Sequence, residues 1–133
     1  MITLYDAADD IAIELPDDLH WVDEFDWSPV AQAAEYSLGG SLIIEESVKQ
    51  AGRPITLGGA HDDMGWVTRE TVLALQGRRN IPGRTFTLTL KDARTFTVVF
   101  RQSDAPITAV PVLAWNQTES GHWYSLALRF MEV

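Results

Sequence analysis

Thr85-Phe86-Thr87-Leu88-Thr89-Leu90-Lys91-Asp92-Ala93-Arg94-Thr95-Phe96-Thr97-Val98-Val99-Phe100-Arg101 is the stretch on which the fold turns. Phe86, Leu88 and Leu90 alternate with threonines; Phe96, Val98 and Phe100 alternate with Thr95, Thr97 and Val99. A period of two marks half-buried strands, so two such runs joined by a short polar link predict an antiparallel hairpin. Residues directly opposite one another share a face. Joining the two apolar rows therefore demands an odd loop, most simply Asp92-Ala93-Arg94, with Leu90 opposite Phe96, Leu88 opposite Val98 and Phe86 opposite Phe100. A two-residue loop would turn one apolar row to solvent. The three-residue loop needs a residue near the left-handed region, and no glycine is there to supply it.

Outward from this hairpin, more strands follow. Tyr124, Leu126, Leu128 and Phe130 alternate with Ser125, Ala127 and Arg129 in a final strand. Ile107 to Trp115 is a β run interrupted by Pro111, hence an edge or bulged strand. On the N-terminal side, the pattern predicts a helix from about Gly65 to Gln76. Val67, Thr71, Val72, Ala74 and Leu75 lie on its inner arc, Asp62 or Asp63 caps its start, and Gly77 ends it. Arg53 to Leu57 reads as a strand with Pro54 near its start. Ala31 to Leu38 and Ser41 to Val48 flank Gly39-Gly40 as a hairpin. Helix competes over Ala31 to Glu35 on propensity, while Ile43 and Ile44 favour strand. Ile2 to Tyr5 and Ile11 to Leu15 are strands on either side of an acidic turn. Trp21, Phe25 and Trp27 are buried if the segment His20 to Trp27 is ordered. The expected fold is mainly β (α+β), an antiparallel β-sandwich or small β-barrel with one packed α-helix. Residues 1–133 form a single domain in this reading, with an acidic N-terminal segment, about 1–30.

The chain has 133 residues, a formal charge of −9 and no cysteine. Disulfides, thiolate zinc sites and a cysteine nucleophile are thereby excluded. No apolar run approaches the roughly 18–20 residues of a membrane-spanning helix, and no basic-then-apolar leader opens the chain, so neither membrane insertion nor secretion is expected. The charge is unevenly placed. Residues 1–48 hold twelve acids and no Lys or Arg, whereas residues 49–133 hold ten bases and seven acids. Nucleic-acid binding needs phosphate-neutralising cations, and this balance argues against it. Eight of the ten bases are Arg, the residue suited to bidentate pairing with carboxylates. An acidic patch on one copy could meet an Arg patch on the next and build a head-to-tail ring; ordinary pairing within the chain is the competing reading.

Catalytic signatures are weak. His61-Asp62-Asp63 has metal-ligand chemistry without a second set of ligands, and a helix cap accounts for it. His20 with Asp23, Glu24 and Asp26 offers carboxylates for glycoside hydrolysis, but nothing sets their separation. Gly39-Gly40-Ser41-Leu42-Ile43 is not a nucleophile elbow, and no phosphate-binding loop or dinucleotide fingerprint occurs. No catalytic residue and no cofactor is expected. Trp21, Trp27 and Trp123 could line a ligand groove, but core and subunit packing explain them as well.

Three segments carry a resemblance. They are Gly52-Arg53-Pro54-Ile55-Thr56-Leu57-Gly58-Gly59, Trp66-Val67-Thr68-Arg69 and the hairpin of residues 85–101. In this order they resemble small tail or baseplate proteins of long, flexible-tailed bacteriophages and related prophages, over roughly residues 36–113. The chain departs from the expected Asp-Gly-Arg turn at Asp92-Ala93-Arg94. The resemblance implies a virion structural protein without enzymatic activity, made in the host bacterial cytoplasm. It would be a subunit repeated in a ring around the tail axis near its distal end, with other phage tail or baseplate proteins as partners. Asp17, Asp18, Trp21, Asp23, Asp26 and Trp27 on the acidic side, with Arg53, Arg78, Arg79 and Arg84 on the basic side, are the candidate interface residues. The alternative is a small acidic inhibitor that mimics nucleic acid; an enzyme built on His20, Asp23 and Asp26 ranks below both.

Overall fold

The computed structural model describes residues 2–58, 65–113, 118–119 and 121–133. The strands are β1 (Ile2–Asp6), β2 (Ile11–Leu15), β3 (His20–Trp21), β4 (Val30–Tyr36), β5 (Leu42–Val48), β6 (Pro54–Gly58) and β7 (Trp66–Thr68). One helix, α1 (Arg69–Arg79), precedes β8 (Phe86–Thr89), β9 (Thr95–Phe100), β10 (Ile107–Pro111) and β11 (Trp123–Glu132). The fold is mainly β and antiparallel, with one packed helix, as the alternation predicts.

Nine strands form one sheet in the order β2-β1-β8-β9-β11-β6-β3, with β7 and β10 also paired to β11. The last strand is its spine. Thr68 to Trp66 and then Gly58 to Pro54 pair along one edge of β11. Pro111 to Ile107 and then Phe100 to Val98 pair along the other. Alternation from Trp123 to Phe130 makes this possible: Tyr124, Leu126, Leu128 and Phe130 all turn inward and are buried. Their neighbours Ile55, Leu57, Val67, Val98 and Phe100 complete the row. Ile2, Leu4, Ile13 and Leu15 of the β1–β2 hairpin belong to the same core, so the sheet rolls over one apolar interior. β2 and β3 end the strand order without pairing to each other, so the roll is not a closed barrel. α1 packs on β2, β7, β10 and β11, with Leu75 fully buried beneath it.

Three expectations are corrected. In the β8–β9 hairpin, Leu88 lies opposite Phe96 and Phe86 opposite Val98, two residues from the expected register. The loop is still three residues, now Lys91-Asp92-Ala93, closed by Leu90 N–H donating to the Arg94 carbonyl at 2.9 Å. Ala93 takes the left-handed conformation at φ 68°, and the Asp92 carboxylate accepts the Arg94 N–H behind it. The turn therefore decides a register that alternation alone leaves open by steps of two.

The helix starts at Arg69, not Gly65, because Trp66–Thr68 is drawn into pairing with Trp123–Ser125. Thr68 stands at its N-cap, Ala74 is exposed and Gly77 lies inside the last turn. Glu70 in the first turn and Arg78 and Arg79 in the last suit the helix dipole. The proposed Asp62 or Asp63 cap, like the ion-binding reading of His61-Asp62-Asp63, lies outside the described residues. Finally, Trp21 is buried and Trp27 half-buried, but Phe25 is 90% exposed, because residues 22–26 form a turn that lifts it off the sheet.

β4 and β5 form a sheet of their own. Their seven-residue pairing runs from Val30 opposite Val48 to Tyr36 opposite Leu42, and every residue of both strands is exposed. The strand reading of Ala31 to Glu35 thus prevails over helix. The arm closes through Ser37 N–H to the Ser41 carbonyl (2.8 Å), with Gly40 at φ 86° in the left-handed position of the loop.

Candidate functional site

Trp21 stands at the meeting point of the roll's two ends. Its pairing with Leu57 sets β3 on β6, and its ring meets Phe96 of β9 edge-on at 5.4 Å. The Arg53 guanidinium lies 4.5 Å from the Trp21 ring centre and 6.0 Å from that of Trp27. Arg94 reaches the Trp21 ring at 5.4 Å, and Lys49 the Trp27 ring at 4.9 Å. Asp23 fixes the intervening turn, accepting from the Thr56 N–H at 2.9 Å and its hydroxyl at 2.8 Å. Arg53 donates to the Glu24 carbonyl at 3.1 Å, and Arg94 to the Glu24 carboxylate at 2.7 Å and to Asp92 at 2.6 Å. Arg101 donates to the Thr56 hydroxyl from the same side. The Glu24 hydrogen bond raises the Arg94 pKa further, so this cation keeps its charge. Burial pushes the Asp92 carboxyl up, but hydrogen bonds from the Arg94 N–H and guanidinium hold it below its ordinary value.

Beside this cluster the unclosed end of the roll leaves a groove of about 460 Å³. Ile2, Leu19, Trp21, Leu57 and Leu90 line it, with His20, Glu24, Lys91, Asp92 and Arg94 as its polar members. The Trp21 indole Nε1 and the Arg53 Nε are both buried and have no hydrogen-bond partner among the described residues. A buried donor without an acceptor costs roughly 1–3 kcal/mol, a cost that the packing of the cluster must offset.

A second polar centre is spoken for within the chain. Asp6, 1% exposed, accepts from Arg84 at 2.9 and 3.0 Å, from Arg78 at 3.1 Å and from the Ala8 N–H at 3.1 Å. Asp9 bonds to Arg78 and lies 3.3 Å from Arg84. Burial pushes the Asp6 carboxyl up, but the bonds from Arg84, Arg78 and Ala8 outweigh it and hold the group below the ordinary carboxylate range.

Of the candidate interface residues, Trp21, Trp27, Asp23 and Arg53 come together in the tryptophan–arginine cluster, with exposed Asp26 on its edge. Arg78 and Arg84 belong to the Asp6 pair instead. Arg79 donates to Gln76, and its carbonyl accepts from Gln102. Asp18 accepts the Gly65 N–H at 3.1 Å, and Asp17 is exposed. Glu24 enters the sequence reading only as a catalytic carboxylate and Arg94 only as part of an Arg patch with Arg78, Arg79 and Arg84; the exposed arm is not among the candidates. The carboxylates proposed for hydrolysis are otherwise engaged, Asp23 with Thr56 and Glu24 with Arg94. Among the described residues no group of three or more His, Asp or Glu could hold a metal ion, and no helix is long and apolar enough to cross a membrane. No protein-family model, curated protein or solved structure matches the chain.

Proposed function

We propose that this chain is a structural subunit of a bacteriophage tail. It sits near the distal end, assembles as a ring around the tail axis and connects the tail tube to tip proteins. One observation carries the reading: a well-formed hairpin of fourteen strand residues, Val30–Tyr36 and Leu42–Val48, is exposed on both faces. A two-stranded hairpin is at best marginally stable alone in water, and exposed apolar strands with open edges invite pairing with another chain. Such an element belongs to a protein completed by its neighbours. The segment resemblance over residues 36–113 supplies the context, and the engaged carboxylates of the Asp6 and Asp23 sites disfavour an acidic mimic of nucleic acid. Mass spectrometry of purified virions, with electron microscopy of particles labelled through this chain, tests the reading. Several copies at the distal tail are expected; absence from particles would contradict it.

A further inference from the structure

Two parts of the molecule are left incomplete by the fold, and each has what the other lacks. The arm is two-faced. Val30, Ala34, Tyr36, Leu42, Ile44 and Val48 share one face, on which only the Gln32–Glu46 pair is polar. Glu35 and Glu45 share the other face with Ala31, Ala33, Ile43 and Ser47. From Tyr36 to Leu42 the tip carries no charge, and Leu38 at its end is fully exposed. The groove at the open end of the roll is apolar at Leu19, Leu57 and Leu90. It is lined by Trp21, which is 6% exposed. Lys91 stands exposed at the groove, with no ion pair among the described residues.

We propose that the arm of one copy docks in the groove of a second copy. Leu38 seats against Leu19, Leu57 and Leu90, and Glu35 or Glu45 faces Lys91. The uncharged tip suits the apolar lining, and the arm's three acids suit the lysine. The same acids oppose the alternative of arm pairing with arm. Seven residues at about 3.3 Å each give the arm a reach of roughly 23 Å, enough to bridge to a neighbour. Because different surfaces meet, the contact is head-to-tail, the type that closes into rings. This inference rests on the assembling-subunit reading above and supplies its contact.

The chain's lack of cysteine permits a direct test. Full-length L38C and K91C proteins are mixed, oxidised and mapped by mass spectrometry, both substitutions being at exposed sites. The expected product is the mixed Leu38–Lys91 cross-link, formed at least tenfold above the L38C–L38C product. A dominant L38C–L38C product, or none, overturns the proposal. In sedimentation velocity the L38D chain is expected to self-associate at least tenfold more weakly than wild type, with an unchanged melting temperature. Charge reversal by K91E should weaken association, and E45K in the same chain should restore it. Wild type that stays monomeric at every concentration, or L38D that associates normally, also overturns it. Virion mass spectrometry separates the two ideas. The chain found in particles without the cross-link leaves the tail reading standing and removes the arm–groove contact; the cross-link without virion incorporation does the reverse.

Discussion

The rolled sheet and the arm are built from the same strand-forming residue types, yet one is a core and the other has none. In β11, alternate residues are buried: Tyr124, Leu126, Leu128 and Phe130 go inside while their neighbours stay out. In β4 and β5 the alternation is weaker, with Tyr36, Leu42, Ile44 and Val48 on one face beside the Gln32–Glu46 pair, and all of it remains exposed. Pattern therefore determines that a strand forms and which residues share a face. Burial depends on whether a second layer exists, and no described part of the chain covers the arm.

The comparison breaks most severely in the core. Phe130 is fully buried and packs 4.9 Å from the Phe100 ring. Phe130→Ala is expected to lower unfolding free energy by about 3–5 kcal/mol, read by urea denaturation. An equal loss from an arm substitution would erase the distinction between the two regions.

Next is Asp6, whose buried carboxylate joins the β1–β2 turn to the end of α1. Asp6→Asn should cost about 1–3 kcal/mol at neutral pH, since it takes the buried carboxylate from Arg78 and Arg84 and leaves them only the exposed Asp9. The effect is pH-dependent. A carboxyl held below its unfolded pKa of about 3.9 adds stability above that value and loses it as pH falls through the folded value. Wild type and Asp6→Asn should therefore converge in urea midpoint as the solution is acidified below about pH 4. A constant gap would show that Asp6 acts through packing alone.

A smaller effect has the opposite sign. Ala93 holds φ 68° in the β8–β9 turn, where glycine is unstrained. Ala93→Gly should stabilise the body by roughly 0.5–1 kcal/mol, visible as a raised melting temperature. The least effect on stability belongs to the arm. Leu38→Asp should change unfolding free energy by no more than about 0.5 kcal/mol, because the side chain touches nothing in its own chain.

These sites also show what was legible before the structure. The face of every residue in the Phe86–Phe100 hairpin followed from a period of two, but the register did not. A shift of two residues keeps every face, and the choice is made by Ala93 and Asp92 in the loop. The helix was legible as an element, whereas its start was not, since Trp66–Thr68 is claimed by a strand more than fifty residues away. Trp21, Trp27, Asp23 and Arg53 could be named as an interface set from their chemistry. Their convergence depends on β3 laying itself along β6, which local pattern does not report. Asp6 read only as a turn residue because its cations, Arg78 and Arg84, arrive from 72 and 78 positions along the chain.

Hydrogen exchange measured across a range of protein concentrations tests the central claim, that the body is complete and the arm awaits a neighbouring copy. Amides of β11 and β9 should be protected equally at every concentration. Those of residues 30–48 should exchange rapidly in dilute solution and slow by tenfold or more as concentration rises. Arm amides whose protection is independent of concentration would contradict the account.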